Sequence, residues 1–277
     1  MADVKTGGNC QANQGERGLT RLGQPPESNI RRVISVMSGK GGVGKSTVSA
    51  LLACEMARDG YRVGILDADI TGPSIPRLFG LSGSPSVVGS YLIPEKSKLE
   101  VRVMSIGFFL DHQDDPVIWR GPLIATAIRQ FWSDVVWGDL DYLVVDLPPG
   151  TGDAPLTVLQ QIPVDAVVVV TTPQSLALGI VKKAVTMAGL LNVTVLGFVE
   201  NMAYIICPQC GKRIEPFGGE TAHSRSYLGV PLIGSLPLDP RISELGDAGK
   251  IEDYRAEVLL DVVGMLERRE TGTQEER

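Results

Sequence analysis

Six near-continuous runs of β-branched residues and leucine punctuate the chain. They are Val33–Ser38, Arg62–Asp67, Tyr142–Asp146, Ala166–Thr171, Thr194–Glu200 and Leu232–Ser235. A strand with no polar alternation needs both faces covered, as in a parallel sheet between two helical layers. Helical spacing of apolar residues falls between the runs, over Ser46–Asp59, Pro122–Val136, Ala154–Gln160, Ser175–Leu191, Gly219–Leu228, Pro240–Ala248 and Tyr254–Arg268. This alternation predicts right-handed crossovers and a doubly wound, mostly parallel α/β sheet with helices on both faces, in a single domain. Residues 81–118 break the rhythm: Val87 to Phe109 read as short strands around Pro94-Glu95-Lys96, a hairpin added to the sheet. Residues 1–29 are rich in Gly, Gln, Asn and Pro without an apolar period and read as a flexible arm. The folded domain is expected over 30–268, with 269–277 as a polar, disordered tail.

Composition narrows the class only a little. With 43% hydrophobic and 21% charged residues among 277, the chain can build a sizeable core. A formal charge of −6 argues against a nucleic-acid partner held by bulk electrostatics. No run is apolar enough to span a bilayer, and the first residues lack the apolar core of a signal peptide and the arginine-rich character of a transit peptide. A cytoplasmic protein with no membrane and no nucleic-acid partner is the expectation. Four cysteines in such a setting do not make a disulfide framework. Cys54 lies at core spacing in the first helix and reads as a small buried hydrophobe, and Cys10 reads as incidental to the arm.

The first strand runs into Gly39-Lys40-Gly41-Gly42-Val43-Gly44-Lys45-Ser46-Thr47, a phosphate loop. Its glycines let backbone N–H groups point inward at a phosphate with no Cβ in the way. The helix that follows adds unpaired donors and positive dipole potential. Lys45 is expected to reach the β and γ phosphates of ATP, and the Ser46 hydroxyl to ligate Mg²⁺. Lys40, directly after the first glycine, is not required by the general pattern. It resembles the signature lysine of dimeric ATPases related to the nitrogenase iron protein and the cell-division positioning ATPases, which reaches the partner's nucleotide. The plainer reading of Lys40 is a solvated loop lysine.

Acidic residues close two other strands. In an open α/β sheet the carboxyl ends share one edge, so Asp67 and Asp69 arrive beside a bound nucleotide. Asp69 is the candidate for orienting or deprotonating the attacking water, and Asp67 for supporting the metal shell. The structural alternative is a pair of strand-end aspartates capping the next helix. Leu143-Val144-Val145-Asp146 has the form of a Walker-B segment, whose aspartate holds Mg²⁺, and Leu147-Pro148-Pro149-Gly150-Thr151-Gly152-Asp153 after it reads as a switch loop. Asn201, with Pro237 and Leu238, is placed to receive adenine: an amide both donates and accepts, and the other two can pack on the ring.

Cys207-Pro208-Gln209-Cys210-Gly211, within a loop expected over 203–218, is a metal knuckle. Two thiolates do not close a site that wants four ligands, and a second copy of the chain is the simplest completion. Spacing leaves a bridging 4Fe-4S cluster and a bridging Zn²⁺ equally open; a thioredoxin-like pair is disfavoured because it would open a helix after a first strand, and this pair follows a late strand.

The ordered set of the phosphate loop, Leu66 to Ser74, Asp146 to Asp153, Glu200-Asn201-Met202 with the cysteine pair, and Leu236 to Pro240 resembles the Mrp/ApbC-type iron–sulfur cluster carrier ATPases. The resemblance spans about Val33 to Lys250. It implies a homodimer whose labile 4Fe-4S cluster is bridged by Cys207 and Cys210 of both subunits and delivered to apo recipient proteins, with slow MgATP hydrolysis coupled to loading or release. It also tips the balance from zinc to cluster. The arm departs from the eukaryotic cytosolic branch in lacking its multi-cysteine cluster. Two other classes compete: a MinD/ParA-like positioning ATPase with a structural zinc knuckle, and an ATP-gated electron-transfer protein. A positioning ATPase commonly carries a basic surface or basic amphipathic tail, which this chain lacks.

Overall fold

The computed structural model describes residues 23–25, 27–109, 121–173, 177–217, 226–227 and 229–275. The first half of the chain runs through β1 (Asn29–Ser38), α1 (Lys45–Arg58), β2 (Val63–Asp67), α2 (Ile75–Phe79), β3 (Ser86–Val88), β4 (Tyr91–Ile93), β5 (Glu95–Lys96) and β6 (Arg102–Ser105). Next come α3 (Gly121–Ser133), β7 (Asp139–Asp146), α4 (Asp153–Gln161), β8 (Ala166–Thr171) and α5 (Ala177–Leu190). The last part holds β9 (Thr194–Ile206), β10 (Arg213–Ile214), β11 (Ser226–Tyr227), β12 (Val230–Pro237), α6 (Pro240–Asp247) and α7 (Asp261–Glu275).

The main sheet has the order β11-β12-β9-β8-β1-β7-β2-β6-β5, and its seven central strands are parallel. The reason is visible in how each strand divides its side chains. Ile34, Val36, Val144 and Val168 enter one core layer beneath α1, α2 and α7. Val33, Met37, Val145 and Val167 enter the other, against α3, α4 and α5. Burying a valine or leucine this way contributes roughly 1.5–3 kcal/mol, so continuous apolar runs are stable only between two covers. The carboxyl ends of β1, β2 and β7 meet along one edge, with Asp67 in register with Asp146.

Several boundaries differ from the sequence expectation. Within Gly219–Leu228, read as helix, Ser226–Tyr227 form β11 and pair antiparallel with β12, because Gly229 (φ +76°) turns the chain back; the rest of that stretch lies outside the described residues. The helix expected from Tyr254 starts at Asp261, preceded by 3-10 turns at Ile251–Asp253 and Glu257–Leu260. Docking decides this: buried Glu55 accepts a hydrogen bond from Ala256 N at 2.8 Å and from Arg58 at 2.6 Å, tying the segment to α1. That last helix continues to Glu275, so the stretch read as a disordered tail is helical to that point. Once a helix is nucleated, each added residue costs little.

The insertion is two hairpins rather than one. β3 and β4 pair apart from the main sheet, and β5 with β6 forms its edge. Glu252 pins the β5–β6 turn by accepting from Ser97 Oγ and Leu99 N. Most of the arm, Cys10 included, lies outside the described residues. No helix among the described residues is long and apolar enough to cross a membrane.

Candidate functional site

The phosphate loop closes on itself through Gly42 and Gly44, at φ +79° and +80°, where a side chain would be strained. α1 then begins at Lys45. Lys45 is buried, with Nζ 2.7 Å from Asp146 Oδ2 and 3.9 Å from Asp69 Oδ2. Ser46 Oγ donates to Asp146 Oδ2 at 2.6 Å. A hydroxyl and a carboxylate converging beside the loop form the oxygen-rich donor set that Mg²⁺ takes, so these two residues fit that ion. Ser49, which sequence reasoning missed, stands 2.7 Å from the other carboxylate oxygen. Its position three residues after Ser46, on the same helical face, was the available signal.

The two strand-end aspartates divide their work. Asp67 is fully buried, and its Oδ2 accepts from Ser74 N, Ile75 N and Ser105 Oγ at 3.0–3.1 Å while Oδ1 accepts from Asp69 N at 3.2 Å. In these contacts it caps the start of α2 and folds the loop, as the capping alternative describes. Burial, then the charge of Asp146, pushes its carboxyl up to about 7. Asp69 turns the other way, toward Lys45, and takes a hydrogen bond from Thr71 Oγ1 at 3.0 Å. Burial raises its carboxyl, and Lys45 pulls it back.

Lys40 is exposed at the loop's outer edge, where Ser38 Oγ donates to its carbonyl. Asp153 is exposed in the first turn of α4. Gly150 N, in the loop before it, donates to Ser38 O at 2.9 Å and ties that loop to the end of β1.

Asn201 does not stand open to a base on its donor side. Its Nδ2 donates to Val43 O at 2.9 Å and occupies the space beside Gly44 where a Cβ would sit. Pro237 ends β12, and Leu238 N donates to Tyr204 O at 2.7 Å, leaving the Leu238 side chain exposed. A cavity of about 340 Å³ opens next to Thr47, between α2 and α6, bounded by Ser74, Arg77, Ile242, Ser243 and Asp247. Sequence reasoning passed over these α6 residues because nothing in their spacing marks a pocket.

The cysteine pair caps the β9–β10 hairpin. Cys207 N donates to Lys212 O and Gly211 N to Cys207 O, both at 2.9 Å, with Gly211 at φ +69°. Backbone N–H groups of Cys210 and Gln209 lower the Cys207 thiol below its ordinary range. Among the described residues no cluster of three or more His, Cys, Asp or Glu could hold a metal, so this pair is not completed there. Cys54 is buried in α1, and burial pushes its thiol far up.

The family model described as ParA: NUBPL iron-transfer P-loop NTPase matches residues 29–263. The iron–sulfur cluster carrier protein of Clostridium perfringens is 48% identical over 238 residues, covering 83% of this chain and 84% of the relative. A cytosolic Fe-S cluster assembly factor, the Nubp2 homolog of Drosophila pseudoobscura pseudoobscura, is 45% identical over 253 residues, covering 86% and 97%. Among solved structures, a nucleotide-binding protein in complex with ADP from Archaeoglobus fulgidus is 48% identical with a TM-score of 0.75, covering 83% of this chain and 90% of that one. The septum site-determining protein MinD from Pyrococcus horikoshii, at 20% identity and a TM-score of 0.57 over 87% and 96%, shares the fold.

Proposed function

Because this chain belongs to the ParA: NUBPL iron-transfer P-loop NTPase family, we propose that it carries iron–sulfur clusters to apo recipient proteins, with nucleotide in the phosphate loop as its switch. The observation that carries this reading is the thiol pair: two preorganised sulfurs on an exposed hairpin, with no third ligand beside them among the described residues. A half-set of ligands suits a group that must be taken up and handed on. The cargo in this reading is a 4Fe-4S cluster, with Cys207 and Cys210 from each of two copies completing four thiolates. The cytoplasm is the setting in this reading, in keeping with the name of the cytosolic Drosophila relative.

The nucleotide chemistry follows from the loop. Lys45 leaves Asp146 for the β and γ phosphates of ATP, and loop N–H groups hold the phosphate oxygens. Ser46 and Asp146 would hold Mg²⁺, which supplies charge neutralisation at those oxygens. The nucleoside leaves past Thr47 toward the α2–α6 cavity, with Pro237 and Leu238 at its side. Asp69 orients the attacking water, and Lys40 reaches across a face-to-face homodimer to the partner's nucleotide, where its charge matters most in the transition state. Gly150 to Asp153 sense the γ phosphate. Hydrolysis by such a switch is slow.

Anaerobic reconstitution tests the reading. The loaded chain should show a brown, oxygen-labile chromophore with about four iron and four sulfide per pair of chains. Cys207→Ala should lose it. A colourless chain that takes up zinc at the same thiols, and no iron or sulfide, overturns it.

A further inference from the structure

Strand β9 reaches the phosphate loop through Asn201 and Met202 and delivers the thiols at its end. Asn201 is tied to Val43 O and packed on Gly44, and Cys207 follows directly after the strand's last residue, Ile206. Between these points the ladder changes. Pairing with β8 stops at Thr171 opposite Glu200. On the other side, Ser235 lies opposite Glu200 but Pro237 lies opposite Tyr204, so β9 takes four steps where β12 takes two. This bulge lies just where the strand leaves the regular sheet.

Its central residue is strained. Met202 has φ +57°, in the left-handed region that a long side chain adopts only where its surroundings hold it. Its Cε packs toward Gly44 as well. A non-glycine residue held there would relieve its strain by turning to the extended region, a discrete change rather than a continuous one. The phosphate loop can bias the choice, since Asn201 bonds to the loop's own backbone. A ligand shifts such an equilibrium only when it binds one arrangement better than the other, and direct attachment to the phosphate-binding backbone provides that difference.

We propose that the Asn201–Ala203 bulge couples the phosphate loop to the thiol hairpin, so that nucleotide occupancy resets the Cys207–Cys210 turn through β9. The inference rests on the carrier reading for what the thiols hold. The mechanical link is a property of the strand.

The test uses the metal-free full chain in a Cys10→Ser background and reads the reaction of Cys207 and Cys210 with an aromatic disulfide reagent. MgATP should change that rate by about fivefold or more, within the usual span of coupling energies. Lys45→Ala should abolish the response. Met202→Gly, which removes the side chain that packs the bulge toward Gly44, should shrink the response to under about twofold while MgATP affinity, followed by calorimetric titration, stays within about twofold. If Met202→Gly does not fold, Met202→Asn serves: asparagine holds the left-handed region at lower cost and should lock the bulge, with the same loss of response.

A full response in the folded Met202 variants overturns the proposal, as does a parent chain that binds MgATP with no change in thiol rate. In both cases the carrier reading stands if the reconstituted chain holds iron and sulfide. A chain whose thiols respond through Met202 but which takes up neither supports the coupling and sinks the carrier reading.

Discussion

Lys45 Nζ lies 2.7 Å from Asp146 Oδ2, both groups are buried, and the same carboxylate oxygen accepts from Ser46. The residue expected to bind phosphate and the residue expected to hold the cation thus satisfy each other. A phosphate bound by Lys45 would have to displace Asp146 from it. The pair also keeps Asp146 tolerable beside Asp67, its register neighbour.

Lys45→Ala should therefore do two things. MgATP affinity should fall by at least about a hundredfold in calorimetric titration, through loss of a charge-assisted contact in a closed loop. Stability should also fall, by roughly 3–5 kcal/mol in urea unfolding, because the Asp146 carboxylate is left buried and uncompensated. A stability equal to the parent's would show that the ion pair does not hold the site together.

Asp67 and Asp69 should separate structure from chemistry. Asp67→Ala strips the acceptor from Ser74 N, Ile75 N, Asp69 N and Ser105 Oγ. It should destabilise the chain by about 2–3 kcal/mol, reduced somewhat by relief of its repulsion with Asp146. Asp69→Asn should leave the unfolding midpoint close to the parent's and lower ATP turnover by about a hundredfold or more. The reverse pattern would exchange the two assignments.

Lys40 is exposed at the edge of the phosphate loop. Lys40→Ala should bind MgATP within about threefold of the parent but hydrolyse it about a hundredfold more slowly, as for a charge supplied by a partner to the transition state. Normal turnover in this variant removes the across-dimer role.

Thiol chemistry should rank the cysteines. Backbone donors favour the Cys207 thiolate, while burial disfavours that of Cys54. Since the thiolate is the nucleophile, Cys207 of the metal-free chain should be alkylated by iodoacetamide at a pH below the ordinary thiol range, and Cys54 only on unfolding. Peptide mapping after a timed pulse checks the order. Loading with iron and sulfide should protect Cys207 and Cys210 together.

The parallel sheet was legible because Val33–Ser38, Tyr142–Asp146 and Ala166–Thr171 have no polar side to expose, and each proved to serve both core layers. The phosphate loop was legible because its glycines and lysine answer a local backbone requirement. Other features were not. The last turns before α7 obey Glu55, a residue far away in the chain. β9 runs past Glu200 to Ile206, although Glu200 and Asn201 interrupt its apolar run, because β12 and then β10 offer partners beyond that point. The division of labour between Asp67 and Asp69 depends on which way each carboxylate turns, and adjacent letters do not say.

By itself the sequence determined the layered α/β sheet, the phosphate loop and the existence of a thiol turn. Each follows from the pleat, from helical spacing or from one residue's backbone freedom, all of them local. Tertiary structure alone decided that Asp67 caps a helix, that Asn201 braces the loop, and that one bulged strand joins that loop to the thiols. Those outcomes depend on which distant backbone N–H and C=O groups come within hydrogen-bond reach, and that is settled only when the strands take their places side by side.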